Sequence, residues 1–143
     1  MRLSSIFLAA IFAVAVIAVL LMVLGVNFHP PVPAQGAALY NPANEVLVKG
    51  VVTEVKEFTC PVSEGEMGSH LMLNTANGVL TIHLAQGRIL RSQQISFAPG
   101  DQIAVVGSKV RIQGSNDVIA REITRGNEIF MFRDRTGKLM LVQ

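Results

Sequence analysis

The chain has 143 residues, half of them hydrophobic, with a formal net charge of +2 and a sequence pI near 9.0. All 10 acidic residues and every basic residue except Arg2 follow position 34, where they nearly balance and form no basic run. Nucleic-acid binding needs clustered Lys and Arg, so this pattern excludes that class of partner.

The first predicted element is an apolar helix from Ile6 to Val26, a stretch of 21 residues without a charge. At 1.5 Å per residue it would be roughly 31 Å long, about the thickness of a bilayer's hydrocarbon core. Arg2 and the amino terminus are the only charges before it, and no Lys or Arg follows until Lys49. The positive-inside rule therefore predicts a single-pass anchor over residues 1–26, with the rest of the chain extracytoplasmic, in the periplasm.

A cleaved signal peptide is the alternative, with Val32-Pro33-Ala34 as a small-x-small site. Both alternatives export the rest of the chain. Residues 27–38 are rich in Pro and predict an extended tether. Residues 39–143 are enough for one domain. Its single cysteine, Cys60, excludes an internal disulfide, so the thiol is free, paired with another chain, or a ligand.

The first strand is predicted over residues 46–55, which are rich in β-branched residues. Apolar residues occur at both odd and even positions, and so on both faces of the strand. Gly50 lies at its centre. A long strand with two apolar faces and a central glycine is typical of one that bends and joins two sides of a barrel.

A hairpin follows, with residues 70–76 and 79–84 on either side of Asn77-Gly78, the strongest short-range hairpin signal. A two-residue loop there makes Met72 face His83 and makes His70 and His83 diagonal neighbours. The predicted core face of the hairpin comprises Leu71, Leu73, Leu80, Ile82 and Leu84. The opposite face carries His70, Met72, Asn74, Val79, Thr81 and His83, and is expected to face solvent.

The remaining elements are a short helix within residues 87–94, a strand at 102–106, a strand pair at 109–113 and 117–123, and a last hairpin of residues 128–132 and 139–142. Together they predict an all-β fold, a small OB-like β-barrel preceded by one N-terminal transmembrane helix. A small β-sandwich is the alternative fold.

One loop brings further chemical groups towards the hairpin. Cys60, Glu64, Glu66 and Met67 lie in residues 58–69, just before His70. Thiol, thioether and imidazole suit copper, so His70, His83, Cys60 and Met67 form a candidate copper site, with haem contact as a variant. The alternative is purely structural: His and Met are tolerated on a solvated face, Met67 plugs a barrel end, and Cys60 is a small buried hydrophobe.

Catalysis finds less support. Asp101, Asp117 and Asp134 lie in or after turns, where their side chains bond the local backbone. There is no Gly-x-Ser-x-Gly elbow and no phosphate-cradling loop. Pro61 after the thiol and the lack of a second cysteine disfavour redox exchange. The sequence therefore predicts a protein that is not an enzyme.

A set of short segments carries a family resemblance: Tyr40-Asn41-Pro42-Ala43, His70-Leu71, His83-Leu84, Phe97-Ala98-Pro99-Gly100-Asp101, Val106-Gly107-Ser108, Ala120-Arg121-Glu122-Ile123 and Phe132-Arg133-Asp134. Together they resemble a group of small exported bacterial proteins of unassigned function. The resemblance implies export and an OB-like fold over residues 40–142, and no activity.

The layout of one anchor and one exported barrel is also similar to the haem chaperone of cytochrome c maturation. That family attaches haem through a histidine near the C-terminal side of its barrel. No histidine follows His83 here, so no residue of that family is carried over.

These patterns predict a membrane-anchored extracytoplasmic binding or accessory module that engages another envelope protein. Its tether would keep domain and partner at high local concentration. The competing hypothesis is a copper or haem handling protein.

Overall fold

The computed structural model describes Ala13 and residues 39–141, and strands dominate this part of the chain. The chain divides into two units, Met1–Val32 and Pro33–Gln143. Among the described residues of the second unit, the elements are a 3₁₀ helix Pro42–Asn44, β1 Glu45–Thr59, a 3₁₀ helix Pro61–Ser63, β2 Met67–Thr75, β3 Gly78–Gln86, α1 Gly87–Ser92, β4 Gln102–Ile112, β5 Ser115–Arg125 and β6 Glu128–Met131. The predicted all-β class of the domain is confirmed.

The strands form one sheet in the order β3-β2-β1-β4-β5-β6, with antiparallel neighbours throughout. A further, parallel pairing joins β3 to β5, where residues 81–83 lie beside residues 117–119. This pairing places β3, one arm of the β2–β3 hairpin, beside β5, a strand that comes much later in the chain.

β1 is longer than predicted and serves two neighbours. Residues 45–51 pair with β4, and residues 50–59 pair with β2. At the crossover, a Cβ on Gly50 would lie 2.3 Å from the carbonyl oxygen of Asn74, so only glycine allows this close approach. The predicted central position of Gly50 in this strand is confirmed, and the strand pairs with one neighbour on each side of it.

The register of the β2–β3 hairpin differs from the prediction. Thr75 pairs with Gly78, and His70 pairs directly with His83 instead of lying diagonal to it. The turn residues are Ala76 and Asn77, because the Thr75 hydroxyl donates to the Gly78 carbonyl at 2.7 Å and accepts from the Asn77 N–H at 3.2 Å. The pairing shifts by two residues, so that Met72 faces Thr81 instead of His83, and an even shift leaves the two faces unchanged.

Other predicted elements change in extent. α1 covers only part of the predicted helical segment, and β4 is one strand across the predicted gap at residues 107–108. The predicted last hairpin is confirmed only near its turn: the Phe132 carbonyl accepts from the Met140 N–H at 2.8 Å and Arg133 bridges Leu139, whereas β6 pairs with β5.

The inward-facing side chains of the sheet form the hydrophobic core. Its fully buried members include Val52, Leu71, Leu73, Ile82, Leu84, Val105, Val118, Ala120, Ile123 and Phe132. A second, smaller cluster comprises Tyr40, Cys60, Val62 and Ile119. This second cluster is where the apolar interior meets the polar side chains described next.

Within residues 39–141, no helix is long and apolar enough to cross a membrane. The predicted anchor, apart from Ala13, and the predicted tether at 27–38 lie outside the described residues.

Candidate metal centre

Cys60 follows β1 directly and begins a 3₁₀ turn, Pro61–Ser63. The fixed φ of proline suits the first position of such a turn. The Ser63 hydroxyl accepts from the Cys60 N–H at 3.3 Å, donates to the Glu66 carbonyl at 2.6 Å, and lies 3.5 Å from Cys60 Sγ. The turn thus holds the thiol inward, with Cys60 only 8% exposed.

Gly68 lets this turn approach β2. A Cβ at position 68 would lie 2.8 Å from Ser63 Cβ and 3.1 Å from His70 Cε1. Any side chain there would push the Cys60 turn away from the histidines, so the close packing depends on glycine.

The two imidazoles converge on the thiol from paired strands. His70 Nε2 lies 3.2 Å from Cys60 Sγ, and His83 Nδ1 lies 3.5 Å from it. The imidazole rings meet edge to face, with centroids 4.7 Å apart. The cross-strand pairing of His70 with His83 produces this convergence.

Both histidines are buried, at 1% and 2% exposure, so the expectation that they face solvent is wrong. The physical reason is the cover supplied by the end of β1 and its turn. Phe58 stacks on His70 with ring centroids 3.6 Å apart and an interplanar angle of 7°, and Cys60 lies over both imidazoles.

Asp117 fixes His83 from the other side. Its Oδ2 accepts a hydrogen bond from His83 Nε2 at 2.8 Å, and its Oδ1 accepts from the Ser115 hydroxyl at 2.6 Å. Asp117 reaches His83 because β5 pairs in parallel with β3. With Nε2 donating to the carboxylate, Nδ1 is the nitrogen presented to Cys60.

The electrostatics favour a thiolate. Burial opposes ionisation of Cys60, but hydrogen bonds with His70, His83 and Ser63 outweigh it and lower the pKa of the thiol from 9.0 to about 5. Burial likewise opposes protonation of His83, yet its hydrogen bonds to Cys60 and Asp117 raise its pKa above 6.5. At neutral pH Cys60 is therefore in its nucleophilic, metal-binding form, and the raised pKa of His83 favours the imidazolium beside it more than in a free histidine.

A buried cation lies in the same region. Arg133 is 3% exposed and donates to the Ala120 carbonyl at 2.6 Å. Burial lowers the pKa of Arg133 to about 10, with Tyr40 and Cys60 acting in the opposite direction. Arg133 therefore stays charged at neutral pH and adds positive potential near the thiolate.

The spacing of the three donors fits a transition metal. Cys60 Sγ and one ring nitrogen from each histidine all lie within 4.8 Å of one another. Ideal metal–sulfur and metal–nitrogen bonds of about 2.3 and 2.0 Å in a tetrahedral arrangement put N and S about 3.5 Å apart. The observed 3.2 and 3.5 Å are close to that value.

Asp117 adds the outer partner that metal-binding histidines usually have: a carboxylate on the nitrogen that does not bind the metal. His70 differs, because its Nδ1 is buried without a hydrogen-bond partner in the described part of the chain. An unpartnered buried nitrogen is costly and is found in functional sites more than in purely structural ones.

The predicted site residues are only partly brought together. Cys60, His70 and His83 converge, whereas Met67 is 50% exposed at the start of β2, opposite Thr59. Of the loop acids, Glu66 accepts two hydrogen bonds from Arg88, and exposed Glu64 ends the 3₁₀ turn.

Sequence reasoning missed Asp117, Ser63, Phe58 and Arg133 as parts of this site. Asp117 was interpreted as a turn residue, because nothing near it in sequence points to His83, 34 positions away. Phe58 and Ser63 lie within the loop that was singled out, yet no spacing rule assigns them contacts.

Comparison with known proteins gives one assignment. No match was found among curated proteins. A family model, that of the MamS/MamX magnetosome proteins, matches residues 45–130, which is more than half of the chain and contains all six strands except the last residue of β6. The matched region includes the three converging donors and Asp117. The chain belongs to the MamS/MamX magnetosome protein family.

Proposed function

We propose that this magnetosome-family protein is a membrane-anchored, extracytoplasmic accessory module that binds a soft transition metal, copper(I) foremost, through Cys60, His70 and His83. The observation that carries the proposal is the convergence of a buried thiol and two buried imidazoles within 4.8 Å, with a carboxylate behind one of them. Purely structural packing needs none of these polar groups, since each is costly to bury.

The donor set favours copper(I) over harder ions. Thiolate and imidazole suit copper and zinc, whereas calcium and magnesium take oxygen ligands. Structural zinc sites are almost always four-coordinate, and only three donors converge here among the described His, Cys, Asp and Glu residues. A monovalent copper ion also leaves no net charge on a buried thiolate complex.

Haem is the less favoured cofactor. The two imidazoles meet at 4.7 Å, and Phe58 stacks on His70 at 3.6 Å. Haem iron is bound by a ring nitrogen, so a porphyrin would need open space in front of His70 Nε2 or His83 Nδ1, where Cys60 Sγ lies at 3.2 and 3.5 Å.

The proposed fold of the module is an OB-like barrel. Three observations support it: β1 pairs with both β4 and β2, β3 pairs in parallel with β5, and α1 lies between β3 and β4. Such a chain of pairings returns to its starting strand, as closed barrels do. The anchor at residues 6–26 and the periplasmic location are supported by the sequence alone.

The metal proposal is tested by copper(I) titration of the full-length chain against a competing chelator. We expect one equivalent to bind, and both Cys60→Ser and His70→Ala/His83→Ala to weaken binding by about 100-fold or more. His29→Ala, in the predicted tether, and Met67→Ala are matched controls that should bind like wild type. Equal affinity in wild type and the double-histidine variant would refute the proposal.

We also propose that the domain engages another envelope protein. This second function is supported by exposed apolar side chains beside a groove, above all Leu47 at 60% exposure. A photoreactive group at position 47 of the full-length chain in its native membrane should give one discrete protein adduct. The same group at exposed Glu54 is the control. Identical adduct patterns at the two positions would contradict partner engagement.

A further inference from the structure

A groove of about 1030 Å³ borders the metal centre through Asp117, which lines it and bonds His83. It runs between the start of β1, the β2–β3 turn, and the β4–β5 hairpin, and residues 39, 41 and 44 add a further wall. None of the three metal-donor residues lines it. The groove therefore needs its own explanation.

The groove is lined by basic side chains that have no acidic partner among the described residues. Lys49, Lys109 and Arg111 line it, are exposed, and make no ion pair or side-chain hydrogen bond among residues 39–141. Five other cations are paired with carboxylates elsewhere: Lys56, Arg88, Arg91, Arg121 and Arg125. Asp117 is the one acidic residue of the lining, and it is buried and already bonded to His83.

The floor and rim of the groove suit an extended polypeptide. Leu47, Leu80 and Val110 supply apolar surface between the cations. The rim includes Asn77 and Asn116, whose side chains make no hydrogen bond within the described residues. A side-chain amide both donates and accepts, so it can bond a peptide backbone in either direction.

Other anionic ligands fit less well. No aromatic residue lines the groove, whereas single-stranded nucleic acid is held largely by stacking its bases on aromatic rings. A lone phosphate group would leave most of the apolar floor uncovered.

We infer that this groove binds an acidic, partly apolar segment of a partner protein, held by Lys49, Lys109 and Arg111. The inference rests on the second proposed function, partner engagement, and uses none of the three metal donors.

The test uses a fluorescent synthetic peptide of alternating Glu and Leu, titrated with the full-length chain. We expect binding that weakens with added salt, because charge complementarity supplies it. Lys109→Glu/Arg111→Glu should reduce affinity about tenfold or more, since it places like charges opposite the peptide. Lys56→Glu/Arg91→Glu changes the net charge equally, away from the groove, and should leave affinity near wild type. Circular dichroism of both variants checks that they fold.

Several outcomes would overturn the inference. One is equal peptide affinity in wild type and the groove variant; another is equal binding of a Lys/Leu peptide. Displacement of the peptide by oligothymidine or glycerol phosphate would assign the groove to nucleic acid or lipid headgroups instead. If no acidic peptide binds while the group at position 47 still captures a protein, partner engagement stands and the acidic-segment inference alone fails.

Discussion

On one face of the β2–β3 hairpin, Leu71 and Ile82 pack into an apolar core with no polar group to satisfy. On the other face, the equally buried His70 and His83 surround a thiol and lean on Asp117. The first arrangement lowers the free energy of the fold by removing apolar surface from water. The second raises the free energy of the fold unless each buried polar group forms a hydrogen bond. The apolar face therefore stabilises the fold, whereas the polar face is explained by a binding site.

The largest expected effect is on the ionisation of Cys60. In the metal-free protein its thiol should titrate near pH 5 instead of 9.0. Replacing both imidazoles, as in His70→Phe/His83→Phe, removes the two largest hydrogen-bond contributions and keeps the burial, so the pKa should rise well above 5. The ultraviolet absorbance of the thiolate, followed across pH, measures the pKa of Cys60 in wild type and in the variant. A wild-type midpoint near pH 9 would show that the hydrogen bonds of this face do not stabilise the Cys60 thiolate.

Leu71→Ala tests the apolar face. Leu71 is fully buried, so its truncation removes core contacts and leaves a cavity, with an expected loss of about 2–5 kcal/mol in the free energy of unfolding. The matched control is Leu47→Ala, at an exposed position, with a change within about 0.5 kcal/mol. Urea unfolding measures both, and similar losses would erase the contrast between core and surface leucines.

Asp117→Asn tests the carboxylate behind His83. Losing the charged acceptor should reduce copper(I) affinity by about 10- to 100-fold, the usual effect of removing a carboxylate partner from a metal-binding histidine. Asp134→Asn, in an exposed turn, should leave the affinity unchanged. Chelator competition measures both, and no difference between them would argue that Asp117 is only structural.

The smallest expected effect is a pH dependence of stability. The depressed pKa of Cys60 contributes stability that is complete above pH 9.0 and lost as pH falls through about 5. The raised pKa of His83 contributes stability that is complete below pH 6.5 and lost as pH rises through its folded value. Below pH 6.5 only the Cys60 contribution changes, so the metal-free protein should gain at most about 2 kcal/mol between pH 5 and 6.5.

Cys60→Ser should remove that gain. Urea unfolding of wild type and variant at both pH values measures the difference, which cancels the background of other carboxylates. A gain of the same size in the variant would assign the pH dependence elsewhere.

Much of the fold follows from local sequence. The alternation of Leu71 and Leu73 against Leu80 and Ile82 predicts the core face, and the two-residue shift in pairing leaves that face intact. The turn position itself was wrong because the Thr75 hydroxyl stabilises a turn one residue earlier than the Asn-Gly rule places it.

The site was harder to predict. Residue types pointed to Cys60, His70 and His83, and these do converge. Their burial did not follow from alternation, because the cover comes from Phe58 and the turn after β1. Met67 was included on chemistry alone, and its exposure sets it apart from the three buried residues. Asp117 needed the one parallel pairing in the sheet, which no local pattern encodes.

That parallel pairing has a consequence for the order in which the protein matures. Cys60, His70 and His83 come from neighbouring stretches of chain, whereas Asp117 arrives only when β5 docks against β3. Contacts between distant segments form late, since a long loop must close before they repay its entropy. A half-folded chain could therefore gather the three donors while His83 still turns freely. Final docking of β5 would then lock the ring, so full metal affinity of the centre requires the completed fold.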